Sequence, residues 1–263
     1  MGVQKLFDQL WSDFNGRLCP SSHTIHELLK QDKALINDHI ALRTFNCSPI
    51  GLEVLAKPFI ELGYQEGGDY VFKSKKLVAK HYQHPDPNMP KVFISQLQLE
   101  QCSSELQAIV KKLSEQIDPS KLQGSAFLHG GRLWDLSFED YQSLAKESEY
   151  ASWVAAHGFG ANHFTVSVNQ LAQFEEVSEV NTFLKDNQFA INASGGEVKG
   201  SSEVLLEQSS TMADKVKVVF SDGVQSVPGG FYEFAKRYEM SAGNLYQGFV
   251  EASADKIFES TNN

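Results

Sequence analysis

The order of predicted secondary-structure elements repeats once along the chain. Residues 38–45 and residues 162–169 alternate apolar with polar side chains, which is typical of strands. Each strand is followed by a stretch with helical spacing and then by three extended runs bounded by turn residues. We therefore predict two βαβββ modules, the first over about residues 36–100 and the second over about residues 160–240. The two modules begin at about residues 36 and 160, so the repeat is far longer than the roughly 20–50 residues of a solenoid repeat. The pattern therefore indicates a duplication.

The fold class that follows is α+β, with a mixed sheet built from the paired modules. A chain of 263 residues is long enough to bury a sizeable core, and we predict a single domain over residues 1–263. Additional helical segments are expected at residues 1–35, 101–159 and 241–263. Within and beside the second module, extended runs are predicted at 203–208, 216–221 and 231–237, and helices at 139–157, 171–187 and about 244–259.

Charge excludes one large class of partners. The chain has 33 acidic and 23 basic side chains, so its formal net charge is −10. Nucleic acids and anionic membranes attract clustered Lys and Arg, and we expect neither as a partner. No run approaches the roughly 18 apolar residues of a membrane span, and three separated cysteines without a C-x-x-C pair fit a reducing compartment. We expect a cytoplasmic protein, and the sequence does not indicate its oligomeric state.

Two of the eight histidines hold the same place in the two modules. The first strands open with an acid or amide followed by histidine, Asp38-His39 and Asn162-His163. If the modules pack about a pseudo-twofold axis, both imidazoles approach a common point. Neutral imidazole is a common ligand of divalent metals, so a metal site is plausible there. The alternative is that these are two unrelated polar residues at strand starts.

A third ligand candidate lies in the last predicted strand. Glu233 is embedded between aromatic residues in the segment GGFYEF. A buried carboxylate is costly unless a cation pairs with it, whereas on an edge strand it would face solvent or pair with Lys236 or Arg237. Two histidines and one glutamate would form a facial triad, which leaves positions on a non-haem Fe(II) open for substrate and O₂.

Arg43 is the candidate substrate-binding residue. It lies four positions after His39, so on a strand it shares the same face about 13 Å further along. A guanidinium on the inner face of a sheet needs an anion, and its planar fork suits a carboxylate. The alternative is an internal salt bridge to one of the acidic residues.

Three further polar residues are assigned lesser roles. Gln96, near the end of a first-module strand, is a candidate polar group of the substrate pocket. His81 and His84 are spaced as an H-x-x-H pair, but on a strand they would point to opposite faces. The prolines that follow them exclude a helix, so both are predicted to be surface residues.

Four segments carry a resemblance to a known family. DHIALRTF, PKVFISQL, SEYASWVAAHGFGANHFTVSVN and GGFYEFAKRY resemble the 2-oxoadipate dioxygenase/decarboxylase family, also called 2-hydroxyglutarate synthase, of the vicinal-oxygen-chelate superfamily. The resemblance runs in patches over about residues 36–240. It implies a sheet curved around a metal site, with His39, His163 and Glu233 as metal ligands. It also implies that Arg43 orients the substrate by holding one of its carboxylates.

The resemblance further implies a reaction. Using Fe(II) and O₂, the family converts 2-oxoadipate, a small 2-oxo dicarboxylic acid, to 2-hydroxyglutarate and CO₂ in lysine catabolism. Another divalent metal can occupy such a site in the purified protein. Two alternatives stay open. One is a different metal-dependent reaction on the same scaffold, by an isomerase or a lyase, and the other is a module that binds a small acid without catalysis.

Overall fold

The computed structural model describes residues 2–30, 34–241 and 243–261. Two helices precede the first module, whose four strands and one helix follow the predicted order. Their bounds are α1 Val3–Asp13, α2 Ser21–Leu29, β1 Asn37–Phe45, α3 Leu52–Glu61, β2 Gln65–Phe72, β3 Leu77–Gln83 and β4 Lys91–Leu97.

Three helices connect the modules, and one helix follows the second. The connecting helices are α4 Ser104–Ser114, α5 Phe138–Glu147 and α6 Glu149–His157. The remaining elements are β5 Ala161–Ser167, α7 Val177–Asp186, β6 Lys199–Ser201, β7 Leu206–Ser210, β8 Lys215–Phe220, β9 Gly223–Pro228, β10 Phe231–Arg237, β11 Glu239–Ser241, β12 Asn244–Leu245 and α8 Glu251–Ile257.

Eight strands form one sheet in the order β2-β3-β4-β1-β5-β10-β7-β6. The first strand of each module lies at the centre, and β1 pairs antiparallel with β5. On either side the last strand of the same module pairs in parallel, β4 with β1 and β10 with β5. The two halves of the sheet therefore have equivalent strand orders and are related by a pseudo-twofold axis between β1 and β5. This arrangement confirms the predicted α+β class, a mixed sheet built from paired modules.

Strand alternation gives the central strands two different faces. Phe164 and Tyr232 point outward, where Trp11 and Phe14 of the N-terminal helical region cover them, with ring centroids of Trp11 and Phe14 both 5.1 Å from that of Phe164. Burying each such aromatic ring stabilises the fold by roughly 1.5–3 kcal/mol. The residues next to them in sequence consequently face the inner side of the sheet.

The second module differs from its predicted strands in two respects. The run at 216–221 is not part of the main sheet, because β8 pairs with β9 in a separate two-stranded hairpin between β7 and β10. A two-residue turn joins β8 to β9, so this pairing forms locally. The edge strand of the main sheet on this side is β6. The predicted run at 203–208 is also interrupted, because Leu205 has a positive φ of 65° and β7 begins only after it.

Two predicted helices begin or break at polar caps. The stretch 139–157 is two helices, since Ser148 is extended and its hydroxyl accepts a hydrogen bond from the backbone N–H of Ala151. The stretch 171–187 becomes helical only after Glu176, which forms a capping box with Glu179.

The C-terminal segment is less helical than predicted. Residues 244–245 are the short strand β12, paired with β11, and the helix α8 is followed by a 3₁₀ turn over Phe258–Thr261. Parts of the predicted helical segments 1–35 and 241–263 lie outside the described residues, namely 1, 31–33, 242 and 262–263. Among the described residues, no helix is both long enough and apolar enough to cross a membrane.

Candidate metal centre

The three predicted ligands come together on the inner face of the central strands. His39 lies on β1, His163 on β5 and Glu233 on β10. Thr165 of β5 pairs in register with His39 on one side and with Glu233 on the other. The strand register therefore places the side chains of His39 and Glu233 on either side of Thr165. Nε2 of His39 lies 3.4 Å from Oε1 of Glu233, and Nε2 of His163 lies 3.3 Å from Oε2.

Glu233 is fully buried, with 0% of its surface exposed. The two cations near it in sequence bind other carboxylates, because Lys236 pairs with Glu176 and Arg237 with Asp38. Gln208 donates a hydrogen bond of 2.7 Å to Oε1, and Oε2 accepts none from the described residues. The edge-strand and salt-bridge alternatives for this glutamate are therefore excluded by its position.

The histidine rings are held by the residues that precede them. Nδ1 of His39 lies 2.8 Å from Oδ1 of Asp38, and Nδ1 of His163 lies 3.1 Å from Oδ1 of Asn162. Since these oxygens accept hydrogen bonds, each ring carries a proton on Nδ1. Both Nε2 atoms face Glu233 and are the ring atoms available to a metal. The acid-or-amide and histidine pairs in the sequence are thus two orienting pairs.

Asp38 is itself fixed by Arg237, which lies 199 residues further along the chain. Nε of Arg237 donates to Oδ2 of Asp38 over 2.7 Å, and its Nη2 donates to Oδ1 over 2.8 Å. Burial would raise the pKa of the Asp38 carboxyl, but the guanidinium and the His39 ring lower it more, so that the pKa lies well below its usual value. Asp38 is therefore an ionised acceptor for the His39 ring.

The remaining electrostatics favour a cation between the three side chains. Burial raises the pKa of Glu233, because its charged form has lost water. Burial, with the neighbouring His39 and Arg43, lowers the pKa of His163 well below its usual value, which keeps that ring neutral. The buried carboxylate of Glu233, the neutral ring of His163 and Nε2 of His39 together form a set of donors that a bound cation would balance.

The donor set fits a divalent metal ion. In the part of the chain that the structure describes, these residues form the one group of three suitable side chains, with ligand atoms all within 4.8 Å of one another. Two imidazole nitrogens and one carboxylate are the ligands of a facial triad, a set typical of non-haem Fe(II). The side chains His39, His163 and Glu233 could therefore hold such an ion, with positions left for other ligands.

A small cavity adjoins the three donors. Its free volume is about 20 Å³, which corresponds to one or two water molecules at about 10–15 Å³ each. Aromatic and aliphatic side chains form much of its wall, and several belong to the C-terminal segment. The cavity is lined by His39, Ala41, Arg43, Phe93, Ser95, Asn162, His163, Gln208, Glu233, Phe249, Ala254, Ile257 and Phe258. A six-carbon acid therefore fits only after part of this wall moves.

Arg43 lines the same cavity from β1. Its guanidinium lies about 5 Å from the ring centres of Tyr150, Trp153 and Phe258, at 5.1, 5.2 and 5.3 Å. Its Nη1 donates to Oε1 of Glu149 over 3.0 Å. Arg43 thus forms the internal salt bridge that the sequence left open as an alternative, with Glu149 as its partner. It also lines the cavity beside the three metal donors.

Two lesser predictions are wrong. Gln96 does not line the metal cavity, because its Oε1 accepts a hydrogen bond of 2.9 Å from the backbone N–H of Leu52 at the start of α3. His81 is buried rather than at the surface, and its Nδ1 lies within hydrogen-bond distance of the Tyr70 hydroxyl oxygen, at 2.8 Å. His84 is half-buried. An inward position on a strand covered by the C-terminal segment accounts for the burial of His81.

Three polar residues of the site were missed from the sequence. Thr165 contacts Nε2 of His39 at 3.1 Å, Gln208 binds Glu233, and Arg237 fixes Asp38. Strand alternation would have placed Thr165 on the same face as His163, since the two are two residues apart. No local pattern points to Gln208 or Arg237, whose partners are distant in sequence.

Comparison with known proteins identifies relatives over nearly the whole chain. The family model described as 2-oxoadipate dioxygenase/decarboxylase matches residues 3–124 and 125–244. The chloroplastic 2-oxoadipate dioxygenase/decarboxylase of Arabidopsis thaliana is 33% identical over 270 residues, covering 92% of this chain and 73% of the relative.

Two solved structures are closely similar. A protein from Shewanella frigidimarina superposes with a TM-score of 0.91 at 54% identity, covering 95% of this chain and 98% of that one. The hydroxyglutarate synthase of Oryza sativa, solved in complex with 2-oxoadipate, also has a TM-score of 0.91, at 31% identity, covering 98% of this chain and 91% of that one.

Proposed function

Because this chain belongs to the 2-oxoadipate dioxygenase/decarboxylase family, we propose that it converts 2-oxoadipate and O₂ to 2-hydroxyglutarate and CO₂ in an Fe(II)-dependent reaction of lysine catabolism. The observation that carries the proposal is the buried His39–His163–Glu233 cluster, which shares a small cavity with the guanidinium of Arg43. The rice relative solved with 2-oxoadipate supports the choice of substrate.

His39, His163 and Glu233 have the first role, which is to hold the metal at one fixed position. Bound iron supplies the Lewis acidity and the redox chemistry towards O₂ that the reaction needs. Asp38 and Asn162 keep both ring protons on Nδ1, so that each Nε2 is available as a donor. Because the rings and the carboxylate lie on three paired strands, their spacing is set by the sheet.

Arg43 has the second role, which is to bind a carboxylate of the substrate. It is buried on the same face of β1 as His39, and its planar fork can bind both oxygens of a carboxylate. If iron is held by His39, His163 and Glu233, a 2-oxo acid would offer its own carboxylate and keto groups to that metal. The guanidinium is therefore assigned to the distal carboxylate, which a dicarboxylic substrate has and a monocarboxylic one lacks.

The cavity wall has the third role, which is to exclude water. Phe93, Phe249, Ile257 and Phe258 surround the donors with apolar surface. Removing water strengthens the electrostatic interactions inside the site and protects reactive species from side reactions.

The test is anaerobic reconstitution with Fe(II), followed by oxygen-electrode assays with 2-oxo acids of increasing length. We expect equal consumption of O₂ and 2-oxoadipate, with 2-hydroxyglutarate and CO₂ as products. His163→Ala should abolish the reaction, whereas the exposed residue His23 provides a matched control, His23→Ala, that should retain it.

Other outcomes would assign the protein to the alternatives. Turnover without oxygen would indicate an isomerase or lyase on the same scaffold. Failure to bind any metal, together with unchanged acid binding in Glu233→Ala, would indicate a binding module. A cytoplasmic location is part of the proposal, and cell fractionation would test it.

A further inference from the structure

The ion pair between Arg43 and Glu149 joins a buried cation to a partly exposed anion. The side chain of Arg43 is 1% exposed, whereas that of Glu149 is 28% exposed. Glu149 is the first residue of α6, but the cap of that helix is made by Ser148. The Glu149 carboxylate can therefore turn into water without breaking the cap, whereas the guanidinium cannot leave its site.

The pair also separates two spaces. Arg43 lines the small cavity beside the metal donors. Glu149 and Thr261 line a surface cleft of about 370 Å³, and the hydroxyl of Thr261 lies 3.4 Å from Nη2 of Arg43. Glu149 and Thr261 therefore contact the guanidinium of Arg43 and also line this cleft.

The binding capacity of Arg43 is only partly used. Glu149 accepts a hydrogen bond from Nη1 through one oxygen, and the contacts with Thr261 are long, at 3.4 and 3.5 Å. Nε of Arg43 is buried without a hydrogen-bond partner among the described residues. An unpaired buried donor is costly, and a second carboxylate that binds two guanidinium nitrogens would remove that cost.

We propose that Glu149 holds the carboxylate site of Arg43 before substrate binds and that the distal carboxylate of a dicarboxylic substrate replaces it. The inference rests on the proposed function and adds a specificity-determining residue to it. Exchange of one carboxylate for another keeps the buried guanidinium paired throughout, which avoids the large cost of an uncompensated buried charge. A monocarboxylic 2-oxo acid leaves the Arg43–Glu149 pair in place, so Glu149 opposes the binding of dicarboxylic acids only and sets how tightly the site holds a distal carboxylate.

The test compares Glu149→Gln with wild type. In Glu149→Gln the competing charge is gone, so the distal carboxylate of 2-oxoadipate binds Arg43 without displacing an anion. We expect the Kd for 2-oxoadipate, measured anaerobically on the metal-loaded protein, to fall about 3- to 10-fold, as for loss of one competing charged hydrogen bond. With O₂ present, KM should fall by a similar factor while kcat stays within about twofold.

Two controls separate this effect from a structural one. The acid 2-oxohexanoate has the same chain length without the distal carboxylate, and its Kd should not decrease in Glu149→Gln. Glu139 is an exposed acid in the first turn of the neighbouring helix α5, and Glu139→Gln should leave both Kd values unchanged.

The inference and the proposed function fail in different ways. If wild type turns over 2-oxoadipate but Glu149→Gln leaves its Kd unchanged or raises it, Glu149 is a structural partner of Arg43 and the inference is wrong. An equal decrease in Kd for both acids would also overturn it. If wild type binds neither acid, the proposed function fails, and the inference fails with it.

Discussion

The substitution Glu233→Gln is predicted to change stability in opposite directions with and without metal. In the absence of metal, Glu233 is a fully buried carboxylate whose one hydrogen bond from a side chain comes from Gln208. An amide at this position has no charge to desolvate, and its NH₂ group can donate to Nε2 of His163, which lies 3.3 Å from the present Oε2.

The magnitude follows from the burial. An unsatisfied buried polar group costs about 1–3 kcal/mol, and more when it is charged. We therefore expect chelator-treated Glu233→Gln to be more stable than chelator-treated wild type by at least about 1 kcal/mol. Metal at 100 times its Kd stabilises a protein by about 2.7 kcal/mol, and the variant should lose most of this gain because a neutral amide is a poor ligand.

The assay is urea unfolding of both proteins, with chelator and with saturating Mn(II) or anaerobic Fe(II). Glu239 is an exposed acid on β11, and Glu239→Gln should unfold like wild type under both conditions. The reasoning is refuted if chelator-treated Glu233→Gln is less stable than wild type, or if metal stabilises the two proteins equally.

Three further outcomes are expected. Asp38→Asn should weaken metal binding about 10- to 100-fold in a competitive chelator titration, because a neutral amide is a weaker acceptor for the ligand ring; unchanged affinity would contradict this. His81 has a pKa lowered to about 4 by burial, so the unfolded chain protonates first and this residue should lower the free energy of unfolding by roughly 3 kcal/mol between pH 6.5 and 4. In urea titrations over this range, His81→Gln should lose less stability than wild type by about that amount. Gly200→Ala should lower the free energy of unfolding in urea by more than about 2 kcal/mol, because φ at Gly200 is +86° and the new Cβ would lie 2.0 Å from the Leu206 carbonyl oxygen. Gly124 has φ +67° but open space around it, so the control Gly124→Ala should lower it by only about 1 kcal/mol.

Much of the fold could be predicted because the central strands have strong alternation. The modules, their order and the family resemblance are confirmed. The errors in the second module occur where local geometry breaks the pattern. Leu205 adopts a left-handed conformation that its side chain does not favour, and Val219 is 67% exposed on a hairpin that an alternating sequence could equally place in the main sheet.

The candidate site was predictable where it repeats and not where it depends on distant partners. His39 and His163 were found because the duplication places them equivalently, and Glu233 because its apolar neighbours imply burial. The pairing of Asp38 with Arg237 has no local signal, since the two are far apart in sequence. The same holds for Glu149, which looks like any acid at the start of a helix.

The mirrored sheet has a consequence for the shape of the coordination sphere. His39 pairs with Lys91 as His163 pairs with Phe231, so the position that mirrors Glu233 in the first module is Phe93. A perfectly symmetric pair of modules would surround an ion with two histidines and two glutamates. One aromatic ring in place of the second glutamate breaks that symmetry, and Phe93 lines the cavity at this point. An ion held by His39, His163 and Glu233 would lack a fourth protein ligand at the position of Phe93, so the difference between the two modules would leave coordination positions free for a substrate.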